Sequence, residues 1–227
     1  MRQQIDKKKI FLYIFFLLFL TTLNNQSLIN SDIFNLKITQ IKVSGLSKED
    51  NLKTKKSLNY LIFKNIFFIK KKNLLTILNE NRFVHSYEIK KIYPNSIEIM
   101  IKKTELLATT NLDENFFYIG SNGKLIKTNS INKNLPYVFG KFNTNDFINF
   151  MKIINQSNFN IDKISQIYFF KSKRWDILTH DKILFKLPKE NLISALNTAH
   201  QIVNSENFNN IKIIDLRIAK HIILTDE

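Results

Sequence analysis

The chain has 227 residues, 44% of them hydrophobic, with 20 Phe but only 4 Gly and 3 Pro. That is enough apolar content for one or two packed domains and excludes a collagen-like, linker-like or disordered chain. The absence of cysteine excludes a disulfide scaffold, a Cys-based zinc site and a thiol nucleophile. The net charge of +15 points by itself to nucleic acid, a membrane surface or an acidic polymer. Asn, Ile, Lys and Phe are enriched together, however, as AT-rich coding would produce, so a solvated basic surface explains the same letters.

Arg2, Lys7, Lys8 and Lys9 form a basic head, and Ile10 to Leu20 is continuously apolar. At ~1.5 Å per residue a run of about 11–14 residues spans roughly 17–21 Å, short of the ~30 Å hydrocarbon core. A signal-peptide core, a membrane anchor and a buried helix are the three readings. The small-residue cleavage pattern of a signal peptide is lacking apart from Asn30-Ser31. An uncleaved anchor over residues 10–29 is therefore expected, lengthened by Thr21, Thr22, Leu23, Leu28 and Ile29. The positive-inside rule then leaves the head in the cytoplasm and the rest across the membrane.

Residues 36–45, "LKITQIKVSG", predict a short strand closed by Gly45. Ser47, followed by Glu49 and Asp50, suits a helix start, and Leu58, Leu61 and Ile62 are expected on one face of that helix. A second helix is read through Leu74, Leu75 and Leu78, ending near Asn81. Ile97, Ile99 and Ile101 alternate with Glu98, Met100 and Lys102, a half-buried strand. Tyr87 and Ile89 alternate in the arm before it, and Tyr93-Pro94-Asn95-Ser96 supplies the turn. The order over residues 36–104 is strand, helix, helix, strand, strand.

Thereafter the pattern is mainly β. "LLATTN" and "FFYIG" read as strands, Asn122-Gly123 as a hairpin turn, and "LPYVFG" as a loop ending at Gly140. Phe147, Phe150, Met151 and Ile154 have helical spacing. "KISQIYFF", "RWDILTH" and "KILFKLP" read as successive strands. Leu192, Leu196, Ala199 and Val203 form the stripe of an amphipathic helix. Two short strand-like runs flank Ala219-Lys220.

Catalytic signals are weak. No phosphate-binding glycine motif or nucleophile elbow occurs. His85, His180, His200 and His221 do not have metal-ligand spacing, and Asp113-Glu114 and Asp226-Glu227 read as solvated carboxylates. Trp175 is read as a core aromatic rather than an interface anchor. The lysines of the 85–108 hairpin do not interleave with aromatics as a nucleic-acid platform would. Lys90 and Lys91, being adjacent, face opposite sides, so the hairpin's lysines read as solvated surface.

In their order, "IKVSG", the hairpin with "YP" at its turn and Ala108 after it, "SNGKLIK", "LPYVFG", "RWDILTHDKILFKLP" and "IIDLR" resemble the FtsQ/DivIB family of bacterial cell-division proteins. The terminal "IIDLR" is closest to the FtsQ form. The resemblance covers roughly residues 38 to 227. It implies an α+β protein: a short head (1–9), a single transmembrane helix (10–29), a POTRA-type β-α-α-β-β module (36–104) and a mainly antiparallel β domain with two helices (105–227). It further implies a non-catalytic inner-membrane scaffold without cofactor or metal. Such a protein would be enriched at the septum with its main domains periplasmic, and would bind FtsB and FtsL. The expected contact is an edge strand between Ile213 and Leu224, onto which a partner strand could add. Ile213 and Asp215 belong to it, Arg217 would meet a partner carboxylate, and Ile218, Ile222 and Leu224 would give apolar contact. The alternatives are a POTRA protein of outer-membrane protein transport, for which the barrel strands are missing, and a basic nucleic-acid-binding protein. No nucleic acid is expected as partner.

Overall fold

The computed structural model describes residues 7–23, 36–129, 131–205, 211–218 and 221–225. The head before Lys7, residues 24–29 of the expected anchor, the Asn30-Ser31 step, Ala219-Lys220 and Asp226-Glu227 lie outside them. Five α-helices and two β-sheets make a mixed α+β architecture among the described residues.

Helix α1 (Lys7–Leu23) carries its large apolar side chains from Ile10 to Leu20 exposed, each by 40–75%. At 17 residues it is about 25 Å long. No helix among the described residues is long and apolar enough to cross a membrane. The span expected over 10–29 is therefore not a feature of the described residues.

The remaining elements group into two compact units. The first comprises Met1–Asn81 and Tyr87–Lys102. After α1 its order is β1 (Gln40–Ser44), α2 (Lys48–Ser57), α3 (Lys71–Glu80), β2 (Val84–Ile92) and β3 (Ser96–Lys103), the strands lying in the order β1-β3-β2. β1 runs parallel to β3, with Ile41 opposite Ile97 and Val43 opposite Ile99. The predicted alternation holds: Ile97, Ile99 and Ile101 are buried, each gaining about 1.5–3 kcal/mol from leaving water. Leu58, Leu61, Ile66, Leu74 and Leu78 are buried too. Gly45 is needed where β1 ends. Its φ is 104°, and an added Cβ would stand 1.7 Å from the Ile101 carbonyl oxygen.

Helix α2 starts as predicted, with the Ser47 hydroxyl accepting from the Asp50 N–H at 3.1 Å. It stops earlier than predicted, at Ser57. Leu58 and Leu61 are buried instead by short 3₁₀ turns, in which the Leu61 N–H donates to the Leu58 carbonyl at 3.0 Å. Spacing of three satisfies both kinds of helix. Phe63, at φ 66°, bars any continuation, and Ile62 is only half-buried.

The second unit comprises Arg82–Ser86 and Lys103–Glu227. Its strands are β4 (Leu106–Leu112), β5 (Asn115–Gly120), β6 (Leu125–Thr128), β7 (Tyr137–Phe139), β8 (Ile164–Phe169), β9 (Trp175–Thr179), β10 (Leu184–Lys186), β11 (Ile213–Asp215) and β12 (Ile223–Thr225). They form one sheet in the order β12-β11-β10-β9-β8-β7-β4-β5-β6. The pairs β4–β7, β7–β8 and β10–β11 are parallel and the others antiparallel. Two parallel pairs follow from the helices. α4 (Thr144–Gln156) carries the chain from β7 to β8, and α5 (Leu192–Val203) from β10 to β11, the crossovers that parallel neighbours require.

The segment 135–140 is a correction. It was expected to be a loop, but β7 is a strand in mid-sheet, bonded to β4 and β8, with Val138 buried. Flanked by Pro136 and Gly140 and three residues long, it reads locally as a loop; only its neighbours make it a strand. Phe147, Phe150, Met151 and Ile154 pack from α4 into the core, as predicted. On α5 the buried set is Ala195, Leu196, Ala199 and Ile202, with Leu192 and Val203 at the margin, so the stripe is rotated from the expected one. Trp175 is a core residue. It stacks on Phe150 at 4.8 Å and lies 4.5 Å from Phe169.

Candidate partner-binding edge

The end of the large sheet is built by four short strands whose register sets out a charged row on β9, β10 and β11. On one face Asp176 of β9 lies opposite Lys186 of β10, Lys186 opposite Asp215 of β11, and Asp215 opposite Ile223 of β12. The other face of the same strands holds Ile177, Phe185 and Ile214, all fully buried. Alternation thus puts the apolar residues in the core and the ionic ones on the opposite face.

Each carboxylate is satisfied within the chain. Asp176, almost fully buried, accepts from the Leu187 N–H at 3.2 Å and from the Arg174 guanidinium at 3.1 and 3.3 Å. Burial pushes its pKa up, against the opposing pull of Arg174, the Leu187 N–H and Arg217. Asp215 accepts from the Arg217 backbone N–H at 3.0 Å and from Nε at 2.8 and 2.9 Å, and pairs with Arg217 Nη2. The bonds from Arg217 hold the Asp215 carboxyl below the usual carboxylate range. The same pairing raises Arg217.

The six residues expected at the contact are therefore placed differently from one another. Ile213 and Asp215 lie on β11, which β10 and β12 flank on both sides. The expected edge from Ile213 to Leu224 is corrected in one respect: β11 is interior, and among the described residues β12 is the outermost strand on this side of the sheet. Arg217 and Ile218 sit in the connection after β11, and Arg217 already has its carboxylate in Asp215. Ile222 immediately precedes β12, and Leu224 is its middle residue. Ile218, Ile222, Ile223 and Leu224 are all exposed. The sequence reading missed Ile223 and the Arg174–Asp176 pair. Three successive apolar letters, Ile222 to Leu224, were the available sign that both faces of the last strand lack cover. Beside this edge a groove of about 760 Å³ runs between the start of α5 and residues 216–218 and 221–222, lined by Lys189, Asn191, Ala195, Leu216, Ile218 and Ile222 among others.

Elsewhere the chemistry is structural. Lys90 pairs with Glu88 at 3.3 Å. Lys91 is half-buried and donates to the carbonyls of Phe67 (3.5 Å) and Ile69 (3.3 Å), so it is a tie rather than the solvated lysine expected. The His85 ring meets the Ser121 hydroxyl at 3.1 Å, and His200 meets Asn204. No group of three or more potential metal ligands occurs among the described residues.

Residues 108–217 match the family model for the C-terminal domain of the cell-division proteins FtsQ and DivIB. Over 132 residues the chain is 28% identical to the cell division protein DivIB of Clostridium botulinum (strain Loch Maree), covering 58% of this chain and 49% of that one. Residues 108–217 carry an FtsQ/DivIB C-terminal domain. Further DivIB relatives are those of Clostridium tetani, 29% identical over 46% of this chain and 39% of the relative, and of Staphylococcus aureus, 29% over 40% and 21%. The chain thus spans about half the length, or less, of the DivIB relatives it matches. These relatives carry the DivIB name. The major extracytoplasmic domain of DivIB from Geobacillus stearothermophilus, in its trans isomer, aligns with a TM-score of 0.34 at 13% identity over 46% of this chain and 99% of that one. The family match includes β11 and Arg217 but stops short of β12.

Proposed function

We propose that this chain is a member of the FtsQ/DivIB family and a non-catalytic scaffold of the division machinery that captures a strand of a partner, the FtsB–FtsL pair, on β12. The observation that carries this is the outer strand itself. Among the described residues β12 has a sheet neighbour on one side only, and Ile222, Ile223 and Leu224 are exposed around it. A lone outer strand offers unpaired N–H and C=O groups for strand addition, and adjacent apolar side chains supply contact area. In this reading the Arg217–Asp215 pair stiffens the approach to the edge, and the groove beside α5 receives side chains of the added strand.

The same proposal places α1, with the residues that follow it, in the inner membrane, the Lys7–Lys9 side in the cytoplasm and the two units on the periplasmic side at the septum. An all-round apolar helix behind lysines supports this. Residues 36–104 would be the POTRA-type module, supported by the order β1-α2-α3-β2-β3, and residues 105–227 the FtsQ-type domain.

The test is a binding titration of the full chain in detergent with the periplasmic part of FtsB, comparing wild type with the Ile223→Asp/Leu224→Asp variant. A rise in Kd of about tenfold or more is expected, since two exposed apolar contacts are replaced by charge at the centre of the contact. An unchanged Kd overturns the assignment to β12.

A further inference from the structure

Between Asp50 and Glu80 the chain has seven lysines and no carboxylate. The fold of the first unit gathers part of this stretch at one end. Parallel register sets Gln40 opposite Ser96, so the start of β1 lies beside the β2–β3 turn, and the Thr39 N–H donates to the Asn95 carbonyl at 2.9 Å. On the other side of the entering chain, the Ile66 N–H donates to the Leu36 carbonyl and the Phe63 N–H to the Ile38 carbonyl, both at 2.8 Å. Three connections, 36–39, 63–68 and 93–95, thus converge where the chain enters the unit.

Two of them carry exposed aromatic side chains. Phe63, Phe67 and Phe68 are 75%, 56% and 82% exposed, and the Phe67 ring stacks on that of exposed Tyr93 at 5.1 Å. Exposed Lys37, Lys64, Lys70 and Lys71 belong to the same or adjoining residues, and the Lys64 ammonium lies 4.9 Å from the Tyr60 ring centre. A lone exposed Phe needs no explanation. Several around one chain entry, interspersed with lysines and with no carboxylate in the stretch, have the chemistry of a membrane–water interface, where rings settle at headgroup depth and ammonium groups meet phosphate.

We propose that this end of the first unit docks on the anionic leaflet from which the chain emerges, with Phe63, Phe67, Phe68 and Tyr93 entering the headgroup layer. The proposal rests on the reading of α1 as membrane-embedded. Thirteen residue steps join Leu23 to Leu36, a reach of at most about 45 Å. The entry point and the aromatic cluster share one end of the unit, so the tether leads to the same surface the rings would meet.

The chain lacks cysteine, so single cysteines at Phe15, Phe68 and Lys48 can each carry an environment-sensitive fluorophore in the full-length protein. The labelled chains are reconstituted in phosphatidylglycerol–phosphatidylcholine vesicles containing a nitroxide-bearing quencher lipid. Loss of emission is expected at 15 and 68 but not at 48, with a weaker loss at 68 when phosphatidylglycerol is omitted. Quenching at 15 without quenching at 68 overturns the docking surface and leaves the anchor standing. Quenching at neither overturns both. Quenching at 68 alone supports the surface against the anchor. Equal quenching at 68 in the two lipid mixtures overturns the role given to the lysines.

Discussion

Asp176 and Asp215 stand two strands apart on one face of the sheet and are shifted in opposite directions. Bonds from Arg217 lower Asp215, whereas burial raises Asp176. A lowered native carboxylate stabilises the fold above its unfolded pKa of about 3.9, and that contribution is lost as the pH falls through the native value. Asp176 works the other way, its ionisation costing stability as the pH climbs from about 4 towards its raised native value. Asp215→Asn is accordingly expected to lower stability at pH 7 by about 1–2 kcal/mol, the worth of a charge-assisted pair with partial solvent access. Its deficit against wild type should close as the pH falls below about 4. Thermal unfolding of both proteins across pH 2.5–7 measures this, and a deficit independent of pH would remove the ionic role assigned to the pair. The letters "DLR" suggested an ionic element but not its direction. Residues two apart on a strand share a face, as Glu88 and Lys90 do, so the letters allow the pair; that the Arg217 backbone N–H also donates to the Asp215 carboxylate is not visible in the pattern.

At the scale of elements, periodicity was readable where packing is one-sided and local. Ile97, Ile99 and Ile101 announce β3, and Phe147, Phe150, Met151 and Ile154 announce α4, because each set fills one face over several turns or pleats. α2 was overextended because the Leu58–Leu61 spacing fits either helix type, and β7 was missed because three residues between Pro136 and Gly140 carry no period. The left-handed conformation of the β4–β5 turn was another silent feature. Asp113 and Glu114 take φ values of 48° and 64°, the left-handed pair of a two-residue hairpin, but neither letter is the glycine that usually signals it. Replacing the pair by Asn-Gly relieves that conformation at some entropic cost in the unfolded chain. Stability is expected to rise by about 0.5–1 kcal/mol, read from the denaturant midpoint. A fall would mean that the two carboxylates hold the turn by contacts of their own.

For the molecule as a whole, the +15 charge was the least informative number. Part of it resolves into internal ties, such as Lys91 to two carbonyls, and part into the aromatic-lysine end of the first unit. The order of elements and the exposed apolar helix were legible from the letters. The position of the outer strand was not, since strand order in a sheet depends on pairings between residues far apart in sequence, and β11 rather than β12 carries the more recognisable motif. Strand capture on β12 is decided at Ile223–Thr225 when partner is present. Amide hydrogen exchange of the full chain in detergent, with and without the periplasmic part of FtsB, reads this strand residue by residue. Added backbone bonds along β12 predict slower exchange concentrated at Ile223–Thr225, with the amides of β11 little changed. Binding that leaves β12 exchange unchanged, or that protects another part of the sheet, would contradict it.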